Sequence, residues 1–133
     1  MCVYNEVEGW QNQQFWGDGE FALPFGNYEV NITVPADHIL EATGELQNRK
    51  EVYTKEMMKR YNQAKKSYDK PVIIVNQQEA MDAEKSFSNE KKTWKFLANN
   101  VRDFAFATSR KYILDMMAVK IGTEDVMLSL IHI

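Results

Sequence analysis

Cysteine and histidine are scarce in this sequence, and their scarcity excludes several kinds of site. The 133 residues include one cysteine, Cys2, and two histidines, His38 and His132. A single cysteine cannot form a disulfide within the chain, and it leaves the redox compartment undefined. A Ser/His/Asp or Cys/His catalytic set needs a histidine beside its nucleophile, and Cys2 has none nearby in the sequence. We therefore interpret Cys2 as a buried or incidental thiol.

A strong excess of one charge and long apolar runs are also missing. The net charge at pH 7 is −3, whereas a dedicated nucleic-acid-binding domain is usually basic. The apolar runs fall short of the about 18 residues that can span a bilayer, and residues 1–6 lack the basic and apolar regions of a signal peptide. The apolar fraction of 44% and the aromatic fraction of 12% suffice for one domain with a sizeable core.

The densest aromatic cluster has the alternation typical of two β-strands. Trp94 and Phe96 alternate with other residues in one segment, and Phe104 and Phe106 alternate with alanines in the next. Residues two apart in a strand share a face, so each segment presents aromatic rings to one side. We predict two strands, at residues 93–98 and 104–107, joined by a polar connection at residues 99–103.

Other segments predict further strands. Residues 28–34 show the clearest alternation, with one apolar and one polar face, as in an antiparallel sheet that is buried on one side. Residues 39–43 are expected to form a short return strand. Residues 72–75 and 112–119 are also predicted to be strands, although a short helix is an alternative for the last. Residues 20–25 alternate too, but a proline favours an edge strand or a bulge there.

Two helices are predicted between residues 47 and 90. Thr54 is the expected N-cap of the first, whose apolar stripe consists of Met57, Tyr61, Ala64 and Tyr68. Residues 69–71 are expected to stop it. Asn76 and Glu79 form a capping-box pair for the second helix, whose apolar side consists of Ala80, Met81 and Ala83. The complete pattern predicts a mainly β (α+β) fold, an antiparallel β-sandwich-like domain with a helix–strand–helix insertion at about residues 47–90.

Candidate catalytic and metal-binding residues are few. His38 and Glu41 are three positions apart, but a zinc peptidase helix needs two histidines at i and i+4 with a glutamate between them. We interpret His38 as a turn residue. The paired carboxylates, Glu6 with Glu8 and Asp18 with Glu20, are interpreted as solvated turn charges, because adjacency in sequence does not place them across a cleft.

Three other features could take part in binding or in modification. A basic stretch, Arg49, Lys50, Lys55, Lys59, Arg60, Lys65 and Lys66, could face phosphates, but we favour a solvated helix face. The tryptophans Trp10, Trp16 and Trp94 could stack on sugars. The sequon at Asn31 matters only in a eukaryotic secretory context.

Several segments together resemble a known family. They are CVY at residues 2–4 through Trp10, the strand at 28–35 leading to ATGEL at 42–46, and TWKF at 93–96 followed by NVRDFA at 100–105. These segments resemble the N-terminal β-domain of zinc aminopeptidases of the aminopeptidase N family (gluzincins), in particular the bacterial branch with a helical insertion. The resemblance covers residues 1–122.

The resemblance implies a non-catalytic piece of a larger hydrolase that removes N-terminal residues from peptides. In that family a thermolysin-like catalytic domain binds Zn²⁺ through a His-Glu-x-x-His helix and a further glutamate, and a Gly-x-Met-Glu-Asn segment binds the substrate amine. These motifs do not occur in this sequence, so we assign no catalytic, metal or substrate-binding residue and expect no peptidase activity. The implied partners are the missing catalytic domain of the same chain and, for the parent enzyme, a peptide; neither nucleic acid nor membrane is expected. Bacterial relatives suggest a periplasmic or secreted location.

The resemblance also predicts how the chain is divided and where it docks. Residues 1–122 are expected to be an incomplete N-terminal domain, and residues 123–133 the end of the fragment. Separately, residues 128–133 resemble the translation of a transposon end used in sequencing-library preparation, so we expect them to be a sequencing artefact. The loops at 35–38 and 99–103 and the exposed aromatics Trp10, Phe15 and Trp16 are expected to face the missing domain, with which this segment would wall the active-site cleft. The alternatives are a complete β-sandwich module that binds carbohydrate or peptide, and a nucleic-acid binder that uses the basic helix.

Overall fold

The computed structural model describes residues 3–12, 14, 16–17, 23–85 and 87–133. The strands in this part of the chain are β1 (Val3–Asn5), β2 (Gly9–Gln11), β3 (Gly26–Pro35), β4 (Ile39–Ala42), β5 (Glu45–Leu46), β6 (Val72–Val75), β7 (Lys91–Val101), β8 (Phe106–Ser109), β9 (Ile113–Ile121) and β10 (Glu124–His132). The helices are α1 (Arg49–Val52), α2 (Lys55–Ala64) and α3 (Gln77–Glu84). The mainly β fold class with a helix–strand–helix insertion is confirmed.

The described strands form two three-stranded sheets and two smaller pairs. One sheet has the order β3-β7-β5 and the other the order β10-β9-β6, while β1 pairs with β2 and β4 with β8. Every pairing is antiparallel. Both three-stranded sheets, together with β4, α1 and α2, contribute side chains to one hydrophobic core. Its largest fully buried side chains are Trp94, Leu40, Ile74 and Leu114.

Strand β3 has the two faces that its alternation predicts. Along the strand, half-buried or buried residues alternate with exposed ones, and Val34 is the most buried. On the exposed face, the hydroxyls of Thr33 and Thr93 lie 2.8 Å apart across the strand pair. The prediction for residues 28–34 is therefore confirmed, and β3 extends beyond them at both ends.

Strand β7 is longer than predicted. Residues 99–101, which we expected in the connection, belong to the strand. The strand continues because the register with β3 shifts between Gly26 and Tyr28, which is a β-bulge, and Asn100 adopts a left-handed φ of 55° there. The bulge lets the chain remain paired while Asn100 stays exposed instead of entering the core face.

Strand β4 exists as predicted, but its partner is distant in sequence. It pairs with β8, with Ile39 opposite Ser109 and Ala42 opposite Phe106. Beyond the pair, the N–H of Thr43 donates to the carbonyl of Ala105 at 2.9 Å. The strand therefore closes onto a segment more than 60 residues away instead of folding back on β3.

Helix α2, the first of the two predicted helices, begins as expected and ends before its predicted end. Thr54 caps α2, and its hydroxyl accepts the N–H of Met57 at 3.2 Å. The helix ends at Ala64, before the predicted stop at residues 69–71, and Tyr68 lies outside it with 43% of its surface exposed. The early end has a tertiary cause: the carbonyl of Ser67 accepts the N–H of Ala118 at 2.9 Å, so the chain after α2 is bound to the edge of β9.

Helix α3, the second of the two predicted helices, has the predicted capping box. The N–H of Glu79 donates to Oδ1 of Asn76, and the N–H of Asn76 donates to Oε2 of Glu79, both at 2.9 Å. Ala80 is buried, but Met81 is 50% exposed, so its placement on the apolar side was wrong. An eight-residue helix presents only a narrow buried stripe, and Met81 lies next to it.

Asn48 joins the insertion to the sheet with its side chain. The N–H of Gln47 donates to the carbonyl of Lys95 at 2.8 Å. The Asn48 amide then accepts the N–H of Lys95 at 3.0 Å and donates to the carbonyl of Thr93 at 2.8 Å. This single side chain pairs with two backbone groups of β7, and it is itself buried.

Three further predictions concern segments near the two ends of the chain. Residues 20–22 lie outside the described residues, and residues 23–25 are not in a strand. Strand β9 confirms the strand interpretation of residues 112–119, with Gly122 in the turn that follows. Residues 128–132 form part of β10, paired with β9 along its length; their origin as an artefact stays a prediction.

Candidate interaction surface

The sheet β10-β9-β6 has one face against the core and a second face that is also apolar. In β9, Leu114, Met116 and Ala118 are buried. The intervening residues point to the other side, and the register places Met117 opposite Leu128, and Asp115 between Leu130 on β10 and Ile73 on β6. We call this second side the outer face, and it consists of Ile73, Ile113, Asp115, Met117, Val119, Ile121, Glu124, Val126, Leu128, Leu130 and His132.

The outer face is exposed over much of its area. The exposed fractions are 52% for Ile73, 63% for Ile121, 56% for Leu128 and 60% for Leu130. Soluble monomers rarely expose contiguous apolar patches larger than a few hundred Å², and larger patches mark interaction sites. Among the described residues, these side chains form an apolar surface in which four of the large ones are more than half exposed.

Asp115 is a charged residue on the central strand of this mainly apolar face. Its side chain is 19% exposed, and its Oδ2 lies 3.3 Å from Nε2 of His132. Its Oδ1 is buried and has no hydrogen-bond partner within the described chain. A buried polar atom without a partner costs about 1–3 kcal/mol, so this carboxylate is incompletely satisfied as the chain stands.

A polar cluster lies at the turn between β3 and β4, where the loop at 35–38 was expected to face another domain. Oδ2 of Asp37 accepts the N–H of Ser88 at 3.0 Å and lies 3.3 Å from Nε of Arg110. Burial acts to raise the pKa of Asp37, but the Ser88 hydrogen bond and the Arg110 charge outweigh it and hold the pKa below its ordinary value. The Arg110 guanidinium also lies 4.2 Å from the ring centre of Phe87.

The tautomer of His38 follows from its partners in this cluster. The Thr108 hydroxyl donates its one hydrogen to the carbonyl of Ile39 at 3.1 Å, so the contact of 3.1 Å between Thr108 Oγ1 and His38 Nδ1 has the ring nitrogen as donor. Nε2 then accepts from Nη2 of Arg110 at 3.4 Å. Both ring nitrogens are occupied, which agrees with the interpretation of His38 as a structural turn residue.

Glu41, the other half of the zinc candidate, has different partners. Its carboxylate accepts hydrogen bonds from the Tyr53 hydroxyl at 3.4 Å and from the Ser129 hydroxyl at 3.3 Å. Burial raises the pKa of Glu41 to about 7, against the opposing effects of the Ser129 hydrogen bond and the Arg49 charge. Burial likewise raises the pKa of Tyr53. Within the described residues, no group of His, Cys, Asp and Glu side chains is arranged to hold a metal ion.

Of the remaining carboxylate candidates, Glu6 and Glu8 lie in the described part of the chain. Glu8 accepts a hydrogen bond of 2.9 Å from Nε2 of Gln11, and Glu6 and Glu8 are both exposed. Cys2, Asp18 and Glu20 lie outside the described residues.

Three of the basic candidates are engaged by the protein itself. The Arg49 guanidinium lies 4.1 Å from the ring centre of Tyr61, and the Lys65 ammonium lies 5.9 Å from the same ring. Arg60 binds Glu56 at 3.3 Å and Glu79 at 2.7 Å. These contacts favour the interpretation of this helix as a structural element with a solvated face.

The three tryptophans differ in what they can contact. Trp94 is 1% exposed, so it cannot stack on a ligand, whereas Trp10 is 74% and Trp16 is 83% exposed. Tyr4 packs edge-to-face on Trp10, with ring centres 5.3 Å apart. Phe15 lies outside the described residues. Asn31 of the sequon is exposed on β3.

Sequence reasoning missed the outer face. A signal was present, because the segment 112–119 is apolar at nearly every position and not only at alternate ones, and such a strand is typically covered on both sides. Its partner β10 was set aside because residues 128–133 were interpreted as an artefact.

Among the described residues, no helix is long and apolar enough to cross a membrane. No protein-family model, no curated protein and no solved structure matches this chain.

Proposed function

We propose that this chain is a non-catalytic part of a zinc aminopeptidase of the aminopeptidase N family, and that its outer face packs against the catalytic domain of the same protein. The parent enzyme would remove N-terminal residues from peptides, and this segment would form one wall of its active-site cleft. The single observation that carries the packing role is the apolar outer face around Asp115. Its part outside residues 128–133 includes Ile73, 52% exposed, and Ile121, 63% exposed.

Two further observations support the proposal. The antiparallel fold with a helix–strand–helix insertion is the architecture that the resemblance implies. The carboxylates of Asp37 and Glu41 are held by contacts with Ser88 and Arg110 and with Tyr53 and Ser129, respectively, which gives each of them a structural role. The described residues do not fit a zinc ion, so the zinc of the parent enzyme belongs to the catalytic domain in this proposal, and we derive no chemical step for this segment.

The proposal is tested by the DNA on either side of the coding segment. We expect an open reading frame that continues into a His-Glu-x-x-His sequence within about one domain length, roughly 150 residues. A stop codon soon after the codon for Gly122, with no such motif before it, contradicts the proposal. The same DNA decides whether residues 128–133 are encoded in the parent gene.

A second candidate is a binding module for carbohydrate, and the exposure of Trp10 and Trp16 favours it. Exposed aromatic rings are suited to contact with the apolar faces of sugars. Titration with oligosaccharides, followed by tryptophan fluorescence, tests this candidate. The variant Trp10→Ala should abolish any response, and the absence of a response in the unmodified chain to every glycan class removes the candidate.

A further inference from the structure

We propose that the outer face is recognised by a protein surface that is apolar around one cationic side chain, and that Asp115 receives this cation. The inference deepens the proposed function, on which it rests for the role of the outer face, because it states the chemistry of the surface that packs there. A guanidinium is the group that fits best.

The position of Asp115 is the first step. Directly across the strands it has Ile73 on one side and Leu130 on the other, and Met117 follows it on the same face of β9. The other charged or titratable side chains of the outer face, Glu124 and His132, lie at the two ends of β10. Asp115 is therefore the acidic group in this part of the outer face, with apolar side chains beside it on both neighbouring strands and one contact to His132.

The cost of covering a carboxylate is the second step. A partner with a purely apolar surface would remove Asp115 from water without replacing its hydrogen bonds, which is unfavourable for an ionised group. A partner with a cation at this point supplies the hydrogen bonds and the opposite charge. Guanidinium is planar and less strongly hydrated than ammonium, so it loses less hydration when it is buried against apolar side chains.

Oδ2 of Asp115, and not Oδ1, is the oxygen to which a partner cation would bind. Oδ1 is buried and has no hydrogen-bond partner among the described residues. The contact of Oδ2 with His132 is long at 3.3 Å, and the His132 side chain is 45% exposed at the end of the strand. A partner cation can therefore replace His132 with little rearrangement of the sheet.

The test uses small probes and the full chain. n-Butylguanidinium and N-butylurea have the same shape, and only the first is charged. Each is titrated into ¹⁵N-labelled chain, and the backbone amide shifts of β9 and β10 are followed by NMR. We expect the charged probe to bind about five-fold more tightly than the neutral one, the ratio for an exposed ion pair, with the largest shifts near Asp115 and Leu130.

Three variants assign the effect. Asp115→Asn should reduce the ratio of the two affinities to about one, whereas the matched change Asp103→Asn in an exposed loop should leave it unchanged. Ile73→Arg places a guanidinium opposite Asp115 within the chain, should also abolish the preference, and decides the question if Asp115→Asn does not fold. His132→Ala should strengthen binding of the charged probe.

The outcomes that overturn the inference are distinct from those that overturn the proposed function. Equal affinity for the two probes, a preference that persists in both Asp115→Asn and Ile73→Arg, or shifts located away from the outer face would each end it. A reading frame without the zinc motif would end the proposed function and would leave the guanidinium preference as it is.

Discussion

The backbone N–H of Asn100 donates a hydrogen bond of 2.9 Å to Oδ1 of Asn27, across the point where β3 and β7 change register. Two residues of β7 lie opposite one residue of β3 there, and Asn100 takes the left-handed φ that the bulge requires. The longest strand of the described chain, β7, therefore contains a β-bulge near its C-terminal end, and this hydrogen bond and the φ of Asn100 stabilise it.

The variant Asn100→Ala should be about 1 kcal/mol less stable than the unmodified chain, because alanine does not tolerate positive φ. Asn100→Gly is the matched control and should be nearly as stable as the original, since glycine adopts this conformation freely. Urea unfolding followed by tryptophan fluorescence measures both free energies. Equal stabilities for the alanine and glycine variants would contradict the role given to the bulge.

Gly44 should be far less replaceable than Gly122. Both have positive φ, 90° and 64°, but a Cβ at Gly44 would lie 2.5 Å from the carbonyl oxygen of Leu97, whereas the space at Gly122 is open. Gly122→Ala should lose about 1–2 kcal/mol from backbone strain alone. Gly44→Ala adds a clash with β7 and should unfold at clearly lower urea concentration; similar midpoints for the two variants would show that the clash is relieved cheaply.

We expect the titration of Glu41 to lower the free energy of unfolding as the pH rises from 4.5 to above 7. Burial raises its pKa from 4.5 to about 7, so between these values the folded chain binds a proton that the unfolded chain has lost. Its contribution is complete below pH 4.5 and disappears as the pH rises through about 7.

The variant Glu41→Gln removes this titration and should be more stable than the original above pH 7, by about 1–3 kcal/mol. The matched change Glu29→Gln, at an exposed position of β3, serves as the control. Free energies of unfolding measured at pH 4.5, 6 and 8 give the change in stability per pH unit for each variant. If Glu41→Gln and Glu29→Gln have the same slope between pH 4.5 and 8, the burial of Glu41 does not control its titration.

The purified chain should not hydrolyse aminoacyl anilides, with or without added Zn²⁺. This expectation follows from the proposal that the catalytic and zinc-binding residues belong to another domain. Release of the chromogenic amine is measured at micromolar protein, with a commercial aminopeptidase as positive control. Hydrolysis that co-purifies with the chain and persists after gel filtration would refute the proposal.

Local signals in the sequence predicted those parts of the fold that depend on neighbouring residues. The alternation of β3 predicted its two faces, and the side chains of Thr54, Asn76 and Glu79 predicted the helix starts. Each of these features is decided within a few residues, by the side-chain period of a strand or by the unsatisfied N–H groups of a helix start.

Features that depend on distant pairing were not predictable in the same way. The early end of α2 depends on a hydrogen bond between Ser67 and Ala118, and the polar cluster depends on Asp37 meeting Arg110. The outer face is a different case, because the two-residue turn at Gly122 and Thr123 sets the register of β9 with β10. That local signal was not used, since residues 123–133 were interpreted as the end of a fragment. The resemblance predicted docking at the loops 35–38 and 99–103 and at Trp10, Phe15 and Trp16, and it did not single out the outer face.

The amide of Asn48 takes the place of a peptide unit in the β5–β7 ladder, by pairing with the N–H of Lys95 and the carbonyl of Thr93. The main chain can therefore turn away into α1 while the hydrogen bonds of β7 continue for another step. A neighbouring strand can therefore end early without leaving the backbone groups of β7 unpaired. This requires that the residue after the strand has a primary amide side chain long enough to reach them. Aspartate has the same shape but lacks the donor, and at this position it would set a carboxylate against the Thr93 carbonyl.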